Sequence, residues 1–492
     1  MPAITGPSRA TALLTALALA GCGVGPRYAR PASDIPPAYS SPTPAVAAVP
    51  STLWWHGFNV PELDRLMDLA AAGSPDVQAA AARIVQADQA ARIAGSPLLP
   101  GVTGNVQQNY TRIGTTGSNG GLANLTPASR QFAGLFGSSH RYSDSRNYSA
   151  ELSASYEVDF WGKNLDALRA AEATALASRF DAQTVWLTTS SSIATTYFQA
   201  AGYRDRLAIA QNNLRTATDV LNAFRSRLTV GTASLLDVSQ QEALVAGYRA
   251  QIPALRSQYQ QEVLALGILV GLAPERIVID PAPLTSLGLP AVDPGLPALL
   301  LRRRPDVANA EAQLIAENQT VRQDVANFFP SLQLTASGGL STTVLSALTG
   351  PGSVVASLAS SLVQTIFDNG LKSGTLGQAK GRYRELAADY VRSVLQALTD
   401  TETALTQTSF AAEQEGLEAE AVRTAQRSAD IARAQLGAGT VDIVTVLNTQ
   451  TTLFGDQDTL AQVRVSRFIA LVSLYKALGG GWSRELTEHP PA

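Results

Sequence analysis

The sequence has few of the side chains that bind metals or carry out catalysis. Its 492 residues include one cysteine and three histidines, His56, His140 and His489. One cysteine excludes a disulfide framework and a cysteine-rich metal site, and three scattered histidines leave little for zinc or a catalytic triad. The chain also lacks a phosphate-binding loop of the GxxxxGK[ST] type. We therefore expect no enzyme activity, no metal and no nucleotide cofactor.

Charge is also scarce. Charged residues form 16% of the chain, against about 25% in ordinary soluble domains, while 45% is hydrophobic. The net charge of −3 shows no basic excess, so no nucleic-acid partner is expected. No internal run approaches about 18 consecutive apolar residues, which excludes a bundle of transmembrane helices. The low charge nevertheless indicates that part of the surface does not face water.

The amino-terminal segment has the pattern of a bacterial export signal. Arg9 precedes a short apolar run, 10–20, which suits the core of a secretory signal peptide. The string Leu19-Ala20-Gly21-Cys22 resembles a lipobox, in which the cysteine carries a covalent lipid and begins the mature chain. The alternative is an ordinary signal peptide with an incidental cysteine. Gly23 follows, and without an aspartate there the resemblance favours sorting to the outer membrane. Seven prolines between Pro26 and Pro50 then predict an extended strap.

Two strings show that the chain contains the same unit twice. Ser74-Pro75-Asp76-Val77 recurs as Arg304-Pro305-Asp306-Val307, and Leu228-Thr229-Val230-Gly231-Thr232 matches Leu436-Gly437-Ala438-Gly439-Thr440. Each copy predicts a short helix, a β-hairpin and a long helical hairpin in that order. The predicted segments are a signal peptide (1–21), an anchored strap (22–60), short helices (61–100), a β-hairpin (101–161), a long helical hairpin (162–272), a linker with short helices (273–330), a second β-hairpin (331–367), a second long helical hairpin (368–478) and a tail (479–492).

Four segments alternate between apolar and polar residues. The alternation is clear in Asn147 to Trp161 and Ser331 to Thr342, and weaker in Val102 to Ile113 and Val354 to Ile366. A period of two predicts strands with one apolar face. Their lengths suit transmembrane β-strands, which need about 9 to 11 residues.

Two long segments without proline follow the hairpins. Lys163 to Val230 contains one glycine and predicts a helix of about 100 Å at 1.5 Å per residue, and Leu371 to Leu436 is its counterpart. Each returns as another helix, Ser234 to Val270 and Asp442 to Leu478, and Pro253 predicts a kink in the first return helix. An apolar seam with an 11-residue rhythm is expected there at Leu244, Tyr248, Ile252, Leu255, Tyr259, Val263 and Leu266.

Such strands cannot be buried in lipid by one chain. Unpaired N–H and C=O groups at a sheet edge each cost several kcal/mol in a membrane, and the smallest barrels have about eight strands. Three copies would supply a 12-stranded β-barrel continuous with a 12-helix periplasmic α-barrel. The predicted fold is thus an α+β membrane protein with four transmembrane strands and long antiparallel helices per chain. The strands alone would also fit a soluble β-sandwich, and the helices alone a coiled-coil rod.

Several long strings of the chain are distinctive. They are Trp54-Trp55 with Phe58, Pro61 and Leu63; Asp159-Phe160-Trp161-Gly162-Lys163; 296–307; Phe328-Phe329-Pro330-Ser331-Leu332; and 475–482. In this order they resemble the TolC-like outer-membrane factors, specifically the NodT-type efflux lipoproteins, and the resemblance covers nearly the whole mature chain. It implies a homotrimeric outer-membrane channel that passively conducts small toxic compounds and is fed by a periplasmic adaptor and a proton-driven inner-membrane pump.

The resemblance also implies roles for two turns. Gly231-Thr232 and Gly439-Thr440 would form the periplasmic tips that dock the adaptor, and the alternative is that each glycine merely reverses a helix. The family often places carboxylates just beyond the second turn, where they narrow the pore, but the matching positions are Thr445 and Asn448. Asp442 lies nearby and is the candidate to replace them. Cys22 would carry the only covalently bound group.

Two other functions remain open from the sequence. The same duct would serve a type I protein secretion system. The chain could instead be a structural lipoprotein of the envelope that conducts nothing. An acyl-enzyme is disfavoured, because no histidine accompanies a recognisable nucleophile motif.

Overall fold

The structure is a computed structural model that describes residues 24–32, 34–40, 50–116, 140–482 and 484. The predicted signal peptide, 1–21, and the lipidation residue Cys22 lie outside these residues. So do part of the strap and most of the tail.

The described residues form eight α-helices and four strands in an order that occurs twice. The helices are α1 (Pro61–Gly73), α2 (Pro75–Gly95), α3 (Lys163–Thr229), α4 (Leu235–Val270), α5 (Leu300–Arg303), α6 (Pro305–Ala326), α7 (Leu371–Gly437) and α8 (Ile443–Ala477). The strands are β1 (Gly101–Thr116), β2 (His140–Val158), β3 (Ser331–Thr342) and β4 (Val354–Val363). Helices α3 and α7 both have 67 residues, and α4 and α8 have 36 and 35. The chain is therefore mostly helical with one small sheet, and its two copies have matching elements.

The chain divides into two compact units. One, the sheet unit, consists of Met1–Arg27, Ala91–Ala170 and Asn318–Gly381, and the other, the helical unit, of Tyr28–Ala90, Ala171–Glu317 and Arg382–Ala492. The sheet unit contains one antiparallel sheet in the order β1-β2-β3-β4. Its register aligns Gly101 with Ser155, Tyr148 with Thr342 and Ser331 with Val363.

The first hairpin is longer than the alternation predicts. Strand β2 begins at His140 and not at Asn147, because Arg112 and Asp144 face each other across the register and form an ion pair of 3.3 Å. It ends at Val158 and not at Trp161, because the chain turns there. The Asp159 carboxylate accepts a hydrogen bond of 2.8 Å from the N–H of Leu165 in the first turn of α3. Strand β4 likewise ends at Val363, three residues before the predicted Ile366.

The return helix α4 is continuous from Leu235 to Val270 even though it contains Pro253. Ser234 caps its first turn, since its hydroxyl accepts from the N–H of Asp237 while the Asp237 carboxylate accepts from the N–H of Ser234. The seven residues of the predicted seam are all buried or half-buried. The 11-residue rhythm therefore predicted the packed side of this helix correctly, while the kink at Pro253 stays a prediction.

The core of the helical unit is rich in aromatic side chains. Trp54 stacks on Tyr475 with ring centroids 5.1 Å apart, and Phe58 packs against Phe198 at 5.0 Å. Phe198 in turn lies 4.8 Å from Phe468. All five are buried. The Trp54-Trp55 and Phe58 string thus fixes the residues before α1 onto the long helices.

A charged cluster lies at the start of the second copy. Arg304 is 8% exposed and donates to the carboxylates of Asp306 and Asp400, at 2.9 and 3.0 Å. Arg304 also donates to the carbonyl oxygen of Ala477 at 3.2 Å. These contacts tie α6, α7 and the end of α8 together, so the Arg-Pro-Asp string stabilises the fold.

The strap is held by a buried carboxylate. Glu311 on α6 is 5% exposed and accepts two hydrogen bonds from Arg30, at 2.6 and 2.8 Å, and one from Arg484 at 2.6 Å. The Tyr28 hydroxyl donates a further bond of 3.2 Å. Both ends of the described chain therefore converge on one side chain.

Within the described parts of the chain, no helix combines the length and the hydrophobicity needed to cross a membrane.

Candidate functional site

The two helix reversals have the same backbone geometry. Gly231 and Gly439 both have φ of +75°, a left-handed conformation that favours glycine. The N–H of Thr232 bonds to the carbonyl of Arg227 at 2.9 Å, and that of Thr440 to the carbonyl of Gln435 at 3.0 Å. Each turn therefore closes the preceding long helix with the hydrogen bonds of a glycine C-cap.

Both turns are open to solvent, but their surfaces differ. No atom lies within 4 Å of where a Cβ would stand on Gly231 or Gly439. Around the first turn, three apolar side chains point outward, with Val230, Leu235 and Leu236 exposed by 72%, 70% and 65%. Sequence reasoning missed this patch, because the exposure of these side chains depends on how the helices pack around the turn.

The predicted pore residues follow the second turn at the start of α8. Asp442 is the N-cap, and its carboxylate accepts from the N–H and the hydroxyl of Thr445, at 2.9 and 2.7 Å. These two hydrogen bonds lower the pKa of Asp442, so the exposed carboxylate stays ionised at neutral pH. Asn448 lies one turn further along and is also exposed. The structure thus brings Asp442 and Thr445 into hydrogen-bonding contact with each other, but not with Asn448.

The sheet has one apolar and one polar face. Because every cross-strand pair joins residues of equal parity, the even-numbered and the odd-numbered side chains stand on opposite faces of all four strands. The apolar face, defined by even numbers, includes Val102, Val106, Tyr110, Tyr142, Leu152, Leu334, Val354, Leu358 and Leu362, all exposed by 37% or more. The polar face, defined by odd numbers, includes Thr103, Asn105, Gln107, Asn109, Ser145, Asn147, Ser149, Ser153, Ser337 and Ser357.

Hydrogen bonds between side chains link the strands across the polar face. The hydroxyls of Thr103 and Ser153 are 2.8 Å apart, and those of Ser337 and Ser357 are also 2.8 Å apart. Hydroxyl and amide groups on this face can bond to water. The apolar face has few such groups, and its exposed valine and leucine side chains make contact with water costly.

Two strings singled out in the sequence meet at one end of the sheet. Trp161 stacks on Phe329 with centroids 4.6 Å apart, and its indole N–H donates to the carbonyl of Pro330 at 2.9 Å. Phe160, just after the end of β2, and Ile366 and Phe367, just after the end of β4, are exposed. The other end of the apolar face carries Tyr110 and Tyr142. Aromatic residues therefore lie near both ends of the sheet.

The described residues contain no cluster of His, Cys, Asp or Glu that could hold a metal ion. Cys22 lies outside the described residues, so its lipidation stays a prediction.

A model of the family described as outer membrane efflux protein matches residues 66–272 and 296–480, one range in each copy. The chain belongs to the outer membrane efflux protein family. The resemblance to TolC-like efflux components, inferred from the strings, is thereby confirmed.

Known relatives of this efflux protein cover most of its length. It is 37% identical over 436 residues, 88% of each chain, to the pyoverdine export outer membrane protein OpmQ of Pseudomonas aeruginosa. It is 26% identical over 476 residues, 95% of this chain and 97% of the relative, to the probable outer membrane lipoprotein SilC of Salmonella typhimurium. The solved outer-membrane channel OprN matches with a TM-score of 0.83 at 25% identity, covering 94% of this chain and all of that one. The protein is therefore an efflux channel of the outer membrane, as the sequence predicted.

Proposed function

We propose that three copies of this chain form a water-filled duct through the outer membrane, which passively conducts small toxic compounds. A periplasmic adaptor and a proton-driven inner-membrane pump deliver them. The observation that carries the proposal is a sheet with two chemically opposite faces and two unpaired edges.

The edges require further copies. Strand β1 pairs only with β2, and β4 pairs only with β3, within the described residues. In lipid, the free N–H and C=O groups of these edges would each cost several kcal/mol. Pairing β4 of one copy with β1 of the next removes every edge once the ring closes. Two copies would give eight strands, whose interior is filled by side chains, whereas three give twelve and leave room for water.

In a closed barrel, only one orientation of the sheet places both faces in a suitable environment. The apolar face meets the lipid chains and the polar face lines the water-filled lumen, as in outer-membrane barrels. Tyrosine and phenylalanine near the two ends of the sheet suit the two membrane–water interfaces. Threefold repetition of the long helices supplies twelve helices for a periplasmic tube.

The helix reversals are suited to adaptor docking. Gly231, Thr232, Gly439 and Thr440 expose backbone in turns without covering side chains. The apolar patch of Val230, Leu235 and Leu236 offers a surface that a protein partner would bury. Beyond the second turn, Asp442, Thr445 and Asn448 would form a polar constriction, in which three Asp442 carboxylates attract cations.

The lipid on Cys22 adds a second attachment to the membrane. Each buried CH₂ contributes about 0.8 kcal/mol, so one long acyl chain is worth on the order of 10 kcal/mol. SilC, a relative over 95% of this chain, is named a probable lipoprotein. The cargo of OpmQ is pyoverdine by name; for this chain we propose only small toxic compounds.

Two adjacent residues on opposite faces of β4 test the proposal. Leu358 on the apolar face is 85% exposed, and Ala359 is on the polar face. A lysine on the lipid side costs about 2–4 kcal/mol at mid-membrane and little on the lumen side. Leu358→Lys should therefore greatly reduce the amount of trimer recovered from outer membranes, while Ala359→Lys, the control, should not.

The purified wild-type protein should appear as a trimer in native mass spectrometry and conduct ions in planar bilayers. Equal recovery of both variants would contradict the assignment of the faces. A wild-type protein that inserts but conducts nothing would support the structural lipoprotein instead.

A further inference from the structure

The polar face of the sheet carries very little charge. Among its odd-numbered positions with described side chains, the ionisable residues are Glu151 and Glu157, both on β2. The others are mainly serine, threonine, asparagine and glutamine. Among the described side chains of this face, fixed charge therefore depends on two carboxylates.

These two carboxylates have different surroundings. Lys163 places its Nζ 2.7 Å from Oε1 of Glu157, and both side chains are half-buried, so the opposite charges largely cancel. Glu151 is half-exposed and forms no ion pair or hydrogen bond through its carboxylate with any described residue. Among the described side chains, the net charge of the polar face is therefore concentrated at Glu151.

The register leaves space beside Glu151. Its cross-strand neighbours are Asn105 on β1 and Gly339 on β3. A Cβ on Gly339 would stand 2.2 Å from the carbonyl oxygen of Ala150, so the fold requires glycine here. Since Gly339 has no side chain and Asn105 is neutral, no neighbour in the register compensates the charge of Glu151.

We propose that Glu151 sets the charge preference of the β-barrel, so that cations and cationic organic compounds pass this part of the channel more readily than anions. The inference rests on the proposed trimeric duct, in which threefold symmetry places three Glu151 carboxylates at one height around the lumen.

The dimensions allow such a ring to act at low salt. Twelve strands spaced about 4.8 Å apart and tilted by about 40° give a backbone diameter of about 24 Å. Side chains pointing inward bring the three carboxylates to within about 11 Å of each other, close to the Debye length of about 10 Å at 0.1 M salt. At 1 M salt the Debye length is about 3 Å, so the lumen centre is screened.

Planar-bilayer recordings under a tenfold KCl gradient test this assignment. The permeability ratio of K⁺ to Cl⁻ should exceed one for the wild-type channel at low salt. It should fall at least about twofold in Glu151→Gln and further in Glu151→Lys, and the differences should shrink near 1 M KCl. Asp144→Asn is the matched control, because it removes a charge from the same strand on the apolar face and should leave the ratio unchanged.

Two further variants separate the possible outcomes. Asn105→Lys places a cation opposite Glu151 and should lower the ratio even if the Glu151 variants fail to fold. Asp442→Asn measures the contribution of the helix turn, which should add to that of Glu151. Unchanged ratios in conducting Glu151→Gln and Glu151→Lys channels would overturn the role of Glu151 and leave the duct intact. A wild-type protein without conductance would overturn the duct itself and, with it, this role.

Discussion

The contacts of Glu311 predict that one side chain holds the segment around Arg30 in place. We expect Glu311→Gln to release residues 28–32 locally, whereas Tyr39, which packs against the aromatic core, and Ser40, whose N–H donates to the Glu402 carboxylate, stay bound. The variant keeps one acceptor oxygen but loses the charge that binds Arg30 and Arg484, at distances of 2.6 to 2.8 Å. Hydrogen bonds to charged groups contribute about 1.5–3 kcal/mol each when buried, and the half-exposed Arg30 contributes less because water screens it. We therefore estimate a loss of about 2–3 kcal/mol in the local opening free energy.

The pH dependence of this contact has a definite sign. Burial by itself would raise the pKa of Glu311, but the hydrogen bonds and charges of Arg484 and Arg30 outweigh it and lower the pKa below the ordinary value. A carboxyl whose pKa is lowered by folding stabilises the fold fully above its unfolded pKa of about 4.3. That stabilisation is lost as the pH falls through the lower pKa of the folded state.

Hydrogen exchange measured by mass spectrometry reports this opening directly. Amides of residues 28–32 should exchange about 30 to 150 times faster in Glu311→Gln, since each 1.4 kcal/mol is tenfold. The control is Glu385→Gln, which breaks the exposed pair with Arg382 and should change exchange little. Equal strap protection in wild type and Glu311→Gln at neutral pH would refute the reasoning. The reasoning would also be refuted if the opening constant of the wild type, corrected for intrinsic exchange, did not increase when the pH is lowered below about 4.

Three further predictions concern the anchor, a turn and the tail. Cys22→Ser should abolish labelling with palmitate while the trimer still folds, and persistent labelling would contradict the lipobox assignment. Gly439→Val should impair drug export without lowering the amount of protein in the outer membrane, because valine disfavours φ of +75° while no atom lies near its Cβ. Normal drug resistance in this variant would count against adaptor docking. Gly416→Val within α7 is the control. Gly479→Ala would place a Cβ 1.8 Å from the carbonyl oxygen of Arg303 and should lower the yield of folded protein sharply, whereas Gly416→Ala, with open space around it, should not.

The sequence predicts well those features that depend on neighbouring residues. Strand β3 spans Ser331–Thr342, the range that alternation predicts. The helix from Lys163 ends one residue before the predicted Val230. Both patterns arise from the periodicity of one segment. The ends of β2 were predicted less well, since the pairing of Arg112 with Asp144 and the turn at Asp159 depend on partners that the alternation of one strand does not include.

Long-range contacts could not be predicted in the same way. Glu311 is 281 residues from Arg30 and 173 from Arg484, and none of the three stands in a recognisable motif. Trp161 and Phe329 were each noticed within a string, but the sequence did not show that they stack. The apolar patch at Val230, Leu235 and Leu236 was missed, because exposure depends on how the helices pack around the turn.

By itself, the sequence determined the duplicated order of helices and strands, the two-faced character of the strands and the membership of an efflux family. These properties are local or repeated, so spacing and composition are enough to encode them. Only the tertiary structure decided which strands are neighbours, which edges stay unpaired and which carboxylates are neutralised. The register sets those features, because it alone determines which distant side chains come within hydrogen-bonding distance.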